Sequence, residues 1–215
     1  MSTSALLRHL PKHKTILACL LLLPFCVAPQ CRADDWKYQE TRNEARDFVS
    51  GGMLRLHMTV GELHVRRGDG DKIRLKYTVK SHRENNVKDA SVEINVRGSD
   101  AVIEFHAASG GNTEFEVELE VPGNTNLDLH EKVGDLTVEN IDGDKDLELG
   151  VGDIRVSSEN KGYRLVRAST GIGDVNGATY GESSGWLGKS LKYHGDGKYE
   201  LRAHVGVGDI HLDGK

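Results

Sequence analysis

Apolar and polar residues alternate along most of this chain with a period of two. Leu54, Leu56 and Met58 alternate with Arg55 and His57, and Ile73, Leu75, Tyr77 and Val79 with Arg74, Lys76 and Thr78. Val92, Ile94 and Val96 follow the same rule, as do Phe115, Val117, Leu119 and Val121 around Glu116, Glu118 and Glu120. Such alternation gives a strand one buried and one wetted face. Gly- and Asp-rich breaks separate the runs, at 67–71, 98–100, 110–112 and 122–124, where tight turns are expected. After residue 48 no stretch of ten or more residues has a helical period, so the pattern predicts an all-β chain. Residues 34–47 are polar and read as a lead-in or a frayed helical turn.

A second pattern overlies the first. Val60-Gly61-Glu62-Leu63 returns as Val133-Gly134-Asp135-Leu136, Val151-Gly152-Asp153-Ile154, Ile172-Gly173-Asp174-Val175 and Val207-Gly208-Asp209-Ile210, with a worn copy at Leu187-Gly188-Lys189. A recurrence near 20 residues in a β-rich chain predicts stacked coils. Each unit reads as one corner. The residue before the glycine points inward, the glycine permits a bend that a Cβ resists, and the aspartate accepts backbone N–H groups in the turn. The expected architecture is a single-domain β-solenoid over residues 48–215, right-handed and β-helix-like, with a more irregular N-terminal entrance over about 48–121. Gly61, Gly134, Asp135, Gly152, Asp153, Gly173, Asp174, Gly208 and Asp209 are its structural turn residues.

The N-terminus changes where this chain is expected to work. Arg8, Lys12 and Lys14 precede the apolar run 15–28, and Ala33 then precedes Asp34-Asp35. That arrangement reads as a signal peptide over 1–33, too short in its apolar part for a membrane span. The segment contains all three cysteines, Cys19, Cys26 and Cys31, so the exported part has none and relies on its core rather than disulfides. Its loss moves the net charge from −5 to −9, because it holds four basic residues and no acid. An acidic surface argues against nucleic acid and anionic membrane as partners. All 25 glycines lie beyond it, about twice the usual share. The expected location is periplasm or cell surface, with no integral membrane segment after cleavage.

Candidate chemistry is sparse. Gly68-Asp69-Gly70-Asp71 and Asp142-Gly143-Asp144-Lys145-Asp146 gather carboxylates, but calcium needs six to eight oxygens, and turns are the expected role. His57 and His64 flank one corner, and His204 and His211 hold the same places around another. They pair only if each corner is a two-residue hairpin. The chain has no G-x-S-x-G elbow, and outward carboxylates such as Glu116, Glu118 and Glu120 suit a solvated face. No catalytic, cofactor or metal residue is assigned. Tyr163, Tyr180, Trp186, Tyr193 and Tyr199 concentrate in the last third and are expected to cap the open end of the coils.

The stretches Phe48-Val49-Ser50-Gly51-Gly52-Met53-Leu54, Val121-Pro122-Gly123, the Gly-Asp corners, and Gly195-Asp196-Gly197-Lys198-Tyr199-Glu200-Leu201 leading into Gly206-Val207-Gly208-Asp209-Ile210 resemble the putative-adhesin domain family of bacterial envelope proteins. The resemblance spans roughly residues 45–215 and implies an adhesin-like β-helical fold. It implies a non-enzymatic envelope or surface interaction protein whose partner is an envelope component, glycan or protein. Two other functions fit the residues: a periplasmic structural or sensing module, and a polysaccharide-active enzyme.

Overall fold

The computed structural model of the chain describes residues 36–108, 112–158 and 162–214. The expected signal peptide lies outside the described residues. Fourteen strands and one short helix follow in the order β1 (Tyr38–Asp47), β2 (Met53–Arg67), β3 (Lys72–Ser81), α1 (Glu84–Asp89), β4 (Ser91–Arg97), β5 (Asp100–His106), β6 (Thr113–Val121) and β7 (Asn126–Glu139). They continue as β8 (Lys145–Val151), β9 (Ile154–Ser158), β10 (Tyr163–Ile172), β11 (Val175–Asn176), β12 (Ser190–His194), β13 (Tyr199–Val207) and β14 (Ile210–Gly214). The all-β expectation holds. The polar lead-in does not remain one: Tyr38–Asp47 is an edge strand antiparallel to β3. Its side chains are mostly exposed, so backbone pairing rather than an apolar face holds it.

The strands form one open, mixed sheet in the order β1-β3-β6-β2-β7-β8-β13-β10-β12. The long strands β2 and β7 bend midway and belong to two leaves. Before the bend, β2 pairs in parallel with β5 and β7. After it, β2 pairs with β6, and β7 with β9, which continues through β14 to β11. The inner faces of both leaves contribute to one core. Leu54, Leu56, Leu129, Leu147 and Val205 come from one side of the bend, and Leu63, Val65, Leu136, Ile154 and Ile210 from the other. The result is sandwich-like.

The solenoid expectation is therefore corrected, and the order of the rungs shows why. In a solenoid each coil stacks on its predecessor. Here β13 pairs with β8 on one side and β10 on the other, and β14 lies between β9 and β11. The last corner is inserted between two earlier ones. The far edge of β10 is occupied by β12, which runs antiparallel to it. The returning chain thus fills the gap beside β8 and β9. Because every corner carries the same short phrase, local sequence holds no information about this order.

Candidate functional site: the stacked corner and its outer ridge

The glycines of the five corners and Gly188 align in the spatial order Gly61, Gly134, Gly152, Gly208, Gly173, Gly188. This follows from the register of the parallel pairs and an isolated bridge between Gly173 and Gly188. Gly152 shows why no side chain fits. Its φ is +130°, and an added Cβ would fall on the carbonyl oxygen of Gly134 in the next rung. Close backbone approach and a positive φ act together there.

The aspartates act between rungs rather than within one turn. Asp135 Oδ1 accepts the N–H of Asp153 at 3.0 Å, Asp153 Oδ1 that of Asp209 at 3.0 Å, and Asp209 Oδ1 that of Asp174 at 2.8 Å. A second such ladder runs at the strand starts, where Asn126 Oδ1 accepts from Asp144 at 2.9 Å and Asp144 Oδ1 from Glu200 at 2.8 Å. Each of these side-chain oxygens satisfies a backbone donor of the neighbouring rung.

The residue before each glycine is corrected too. It points outward. In β2 the inward positions are Leu54, Leu56 and Met58, then Gly61, Leu63 and Val65, with Thr59 and Val60 both exposed between them. The same two-residue slip recurs at Lys132-Val133, Gly150-Val151, Gly206-Val207 and Gly171-Ile172. Val60, Val133, Val151, Val207, Ile172 and Leu187 thus line up one per rung, 37 % to 63 % exposed, and Trp186 beside Leu187 is 95 % exposed. At about 4.8 Å per rung this is a continuous aliphatic ridge, bordered on one side by the row Asp135, Asp153, Asp209 and Asp174. Six aliphatic side chains held in water on one edge require an explanation that scattered surface apolars do not.

Directly beneath the ridge lies a residue that the sequence reading missed. Glu131 occupies the inward position between Met58 and Leu149 in the neighbouring rungs. It is 5 % exposed, and neither carboxylate oxygen has a hydrogen-bond partner. Burial pushes its pKa up to about 8, helped by the charges of Asp135 and Glu62. The signal was available, since the alternation Leu127, Leu129 assigns position 131 to the core. Lys145 is buried as well, donating to Gly143 O at 3.0 Å beside the Tyr163 ring. Desolvation lowers its pKa to about 8.

The histidine pairs do not form. His57 and His64 lie on opposite sides of the bend in one strand. His57 stacks on His130 at 5.2 Å between ring centroids, whereas His64 Nε2 lies 3.2 Å from Glu139 without hydrogen-bond alignment. His130 touches Asp128 at 2.7 Å and Glu148 at 3.0 Å. His204 meets Ser169 at 3.0 Å, and His211 lies beside Arg155 in the other leaf. Carboxylates weighed for calcium or catalysis are likewise dispersed. Asp142 faces Arg67, Asp144 accepts from Glu200, and Asp146 faces Arg202. Glu116, Glu118 and Glu120 meet Lys80, Lys76 and Arg66. Of the late aromatics, Tyr163 and Tyr180 are buried, and Tyr193 and Tyr199 pack on the core; only Trp186 stands free of it.

These features define an open, mixed β-sheet protein with a stacked glycine corner. The same architecture is found in the crystal structure of a putative cell adhesion protein from Clostridium sporogenes, which matches with a TM-score of 0.51 at 18% identity, covering 82% of this chain and 100% of that one. A putative adhesin from Parabacteroides merdae (TM-score 0.27, 11% identity, 80% of this chain and 96% of that one) is more remote. So is a putative lipid binding protein from Parabacteroides distasonis (0.29, 11%, 83% and 96%); only the first bears on the fold. No protein-family model matches the sequence, and no curated protein does. Among the described residues no helix is long and apolar enough to cross a membrane, which leaves strand-built spans unaddressed.

Proposed function

We propose that the chain is an exported, non-enzymatic, adhesin-like interaction protein of the cell envelope, acting in the periplasm or at the surface. The observation that carries this reading is the aliphatic ridge. A corner residue that faces water is ordinarily small or polar, yet Val or Ile stands there in five rungs and Leu187 in the sixth. The bordering aspartate row selects the complement: a protein segment with aliphatic side chains framed by Lys or Arg.

Protease shaving of intact cells, with a periplasmic control, tests the location. Loss of the chain while the control survives supports a surface adhesin. Protection until the envelope is opened supports the periplasmic structural or sensing module. Retention in the cytoplasm overturns export. The ridge is tested by Val133→Ser/Val151→Ser/Val207→Ser, expected to keep the fold and abolish attachment of cells or of the envelope partner. Undiminished attachment by the folded triple variant overturns the ridge as the contact surface.

A further inference from the structure

The hairpin β4–β5 lies beside the first half of β2, before the bend, and places three metal-ligating side chains together. Glu93 stands directly opposite Glu104 in the antiparallel register. His106 follows Glu104 by two residues and so shares its face. One donor atom from each of Glu93, Glu104 and His106 lies within 4.8 Å of the others. A parallel pairing puts His57 of β2 next to Glu104. His57, Glu104 and His106, with His130, Glu148 and His204, line a groove of about 660 Å³.

Several outward carboxylates of this surface face cations, as in Lys76–Glu118 at 2.7 Å, Arg55–Asp100 at 3.0 Å and Arg155–Asp153 at 2.9 Å. Glu93 and Glu104 face each other, and among the described residues neither has a salt-bridge partner; Glu93 accepts only the Asn95 side-chain amide, at 2.9 Å. Like charges directly opposed across a strand pair are destabilising. A divalent cation between them turns that repulsion into attraction, and the imidazole of His106 completes a mixed nitrogen–oxygen set.

We propose that Glu93, Glu104 and His106 bind a first-row transition-metal dication, with Zn²⁺ the best fit and water in the remaining coordination position. Imidazole with two carboxylates suits zinc and its neighbours, whereas calcium takes oxygen ligands alone. The three side chains are exposed, so bringing their donors to about 2.1 Å from one cation calls for side-chain rotation rather than movement of the strands. The site is independent of the ridge and of the function proposed for it.

The test is calorimetric titration of the chelator-treated chain with ZnCl₂, and with CaCl₂ in parallel. One equivalent of zinc is expected to bind and to raise the melting temperature. Glu104→Gln and His106→Ala should weaken binding about tenfold or more, while His211→Ala, in the other leaf, leaves it unchanged. Without metal, Glu104→Gln should melt no lower than the parent, because it relieves the opposed charges; this shows that lost binding is not lost folding. Three results overturn the proposal: no zinc binding, zinc binding undiminished in Glu104→Gln and His106→Ala, or equal binding of calcium.

Discussion

The antiparallel flank β1-β3-β6 and the parallel stack from β2 to β10 use the same alternation but depend on it differently. In the flank, Ile73, Leu75, Tyr77 and Val79 enter the core while Lys76 and Lys80 meet Glu118 and Glu116 across the strands. Its turn at Gly70 has φ +78°, and an added Cβ there meets nothing within 4 Å. Each turn stands alone, so a fault stays local. In the stack, each corner glycine closes against a carbonyl of the neighbouring strand, and Asp135, Asp153 and Asp209 each cap the rung beside them. A fault at one corner is therefore felt by two others.

The comparison is broken most directly by valine at one glycine of each region. Gly152→Val sets a Cβ on a backbone oxygen and strains a positive φ, and should cost about 3 kcal/mol or more, a fall in melting temperature of roughly 6–12 °C. Gly70→Val meets only the φ penalty and should cost about 1 kcal/mol. Equal losses by thermal denaturation would show that the corners are no more coupled than the isolated turn at Gly70.

Next comes Glu131. Its carboxyl stays protonated in the folded chain up to about pH 8, whereas unfolded it releases its proton near the ordinary carboxyl value of 4.5. The folded state then binds more protons in that window, so stability should fall as pH rises from about 4.5 to 8 and level off beyond. Glu131→Leu, matching Leu149 in the next rung, should abolish most of that slope and raise stability on the order of 2 kcal/mol at pH 8. Chemical denaturation at pH 5 and pH 8 reads the effect; an unchanged slope would place the titration elsewhere.

Smaller effects sharpen the contrast. Asp153→Ala removes the acceptor of the Asp209 N–H and should cost about 1 kcal/mol, seen as faster amide exchange at residue 209. Glu118→Gln in the flank loses a half-exposed pair with Lys76, worth about 0.5 kcal/mol and erased by salt. If the flank variant is the more damaging by denaturant titration, the stack is not held by its aspartates.

Much of this was legible in the chain. Alternation located β2, β3, β4 and β6, and the repeated phrase located every corner. Two strands before residue 122 escaped. β1 has almost no apolar side chains to alternate, and in β5 Val102 interrupts the contrast between Ala101, Ile103, Phe105 and their polar neighbours. The missed β5 carries Glu104 and His106, so the proposed metal ligands were hidden with it. The outward turn of the corner valines was also illegible, because two successive exposed residues break the period the reading relied on. Rung order is a long-range property, and short-range pattern is silent on it.

The late insertion of β13 and β14 sets a schedule for folding. A stack whose coils followed chain order would close as each segment emerged. Here β8 and β9 leave an edge that β10 and β11 cannot fill, and the core between them stays open until residues 199–214 arrive. Under the export proposed above, the chain would cross a secretion pore with this edge still open and complete its stack only once residues 199–214 had followed.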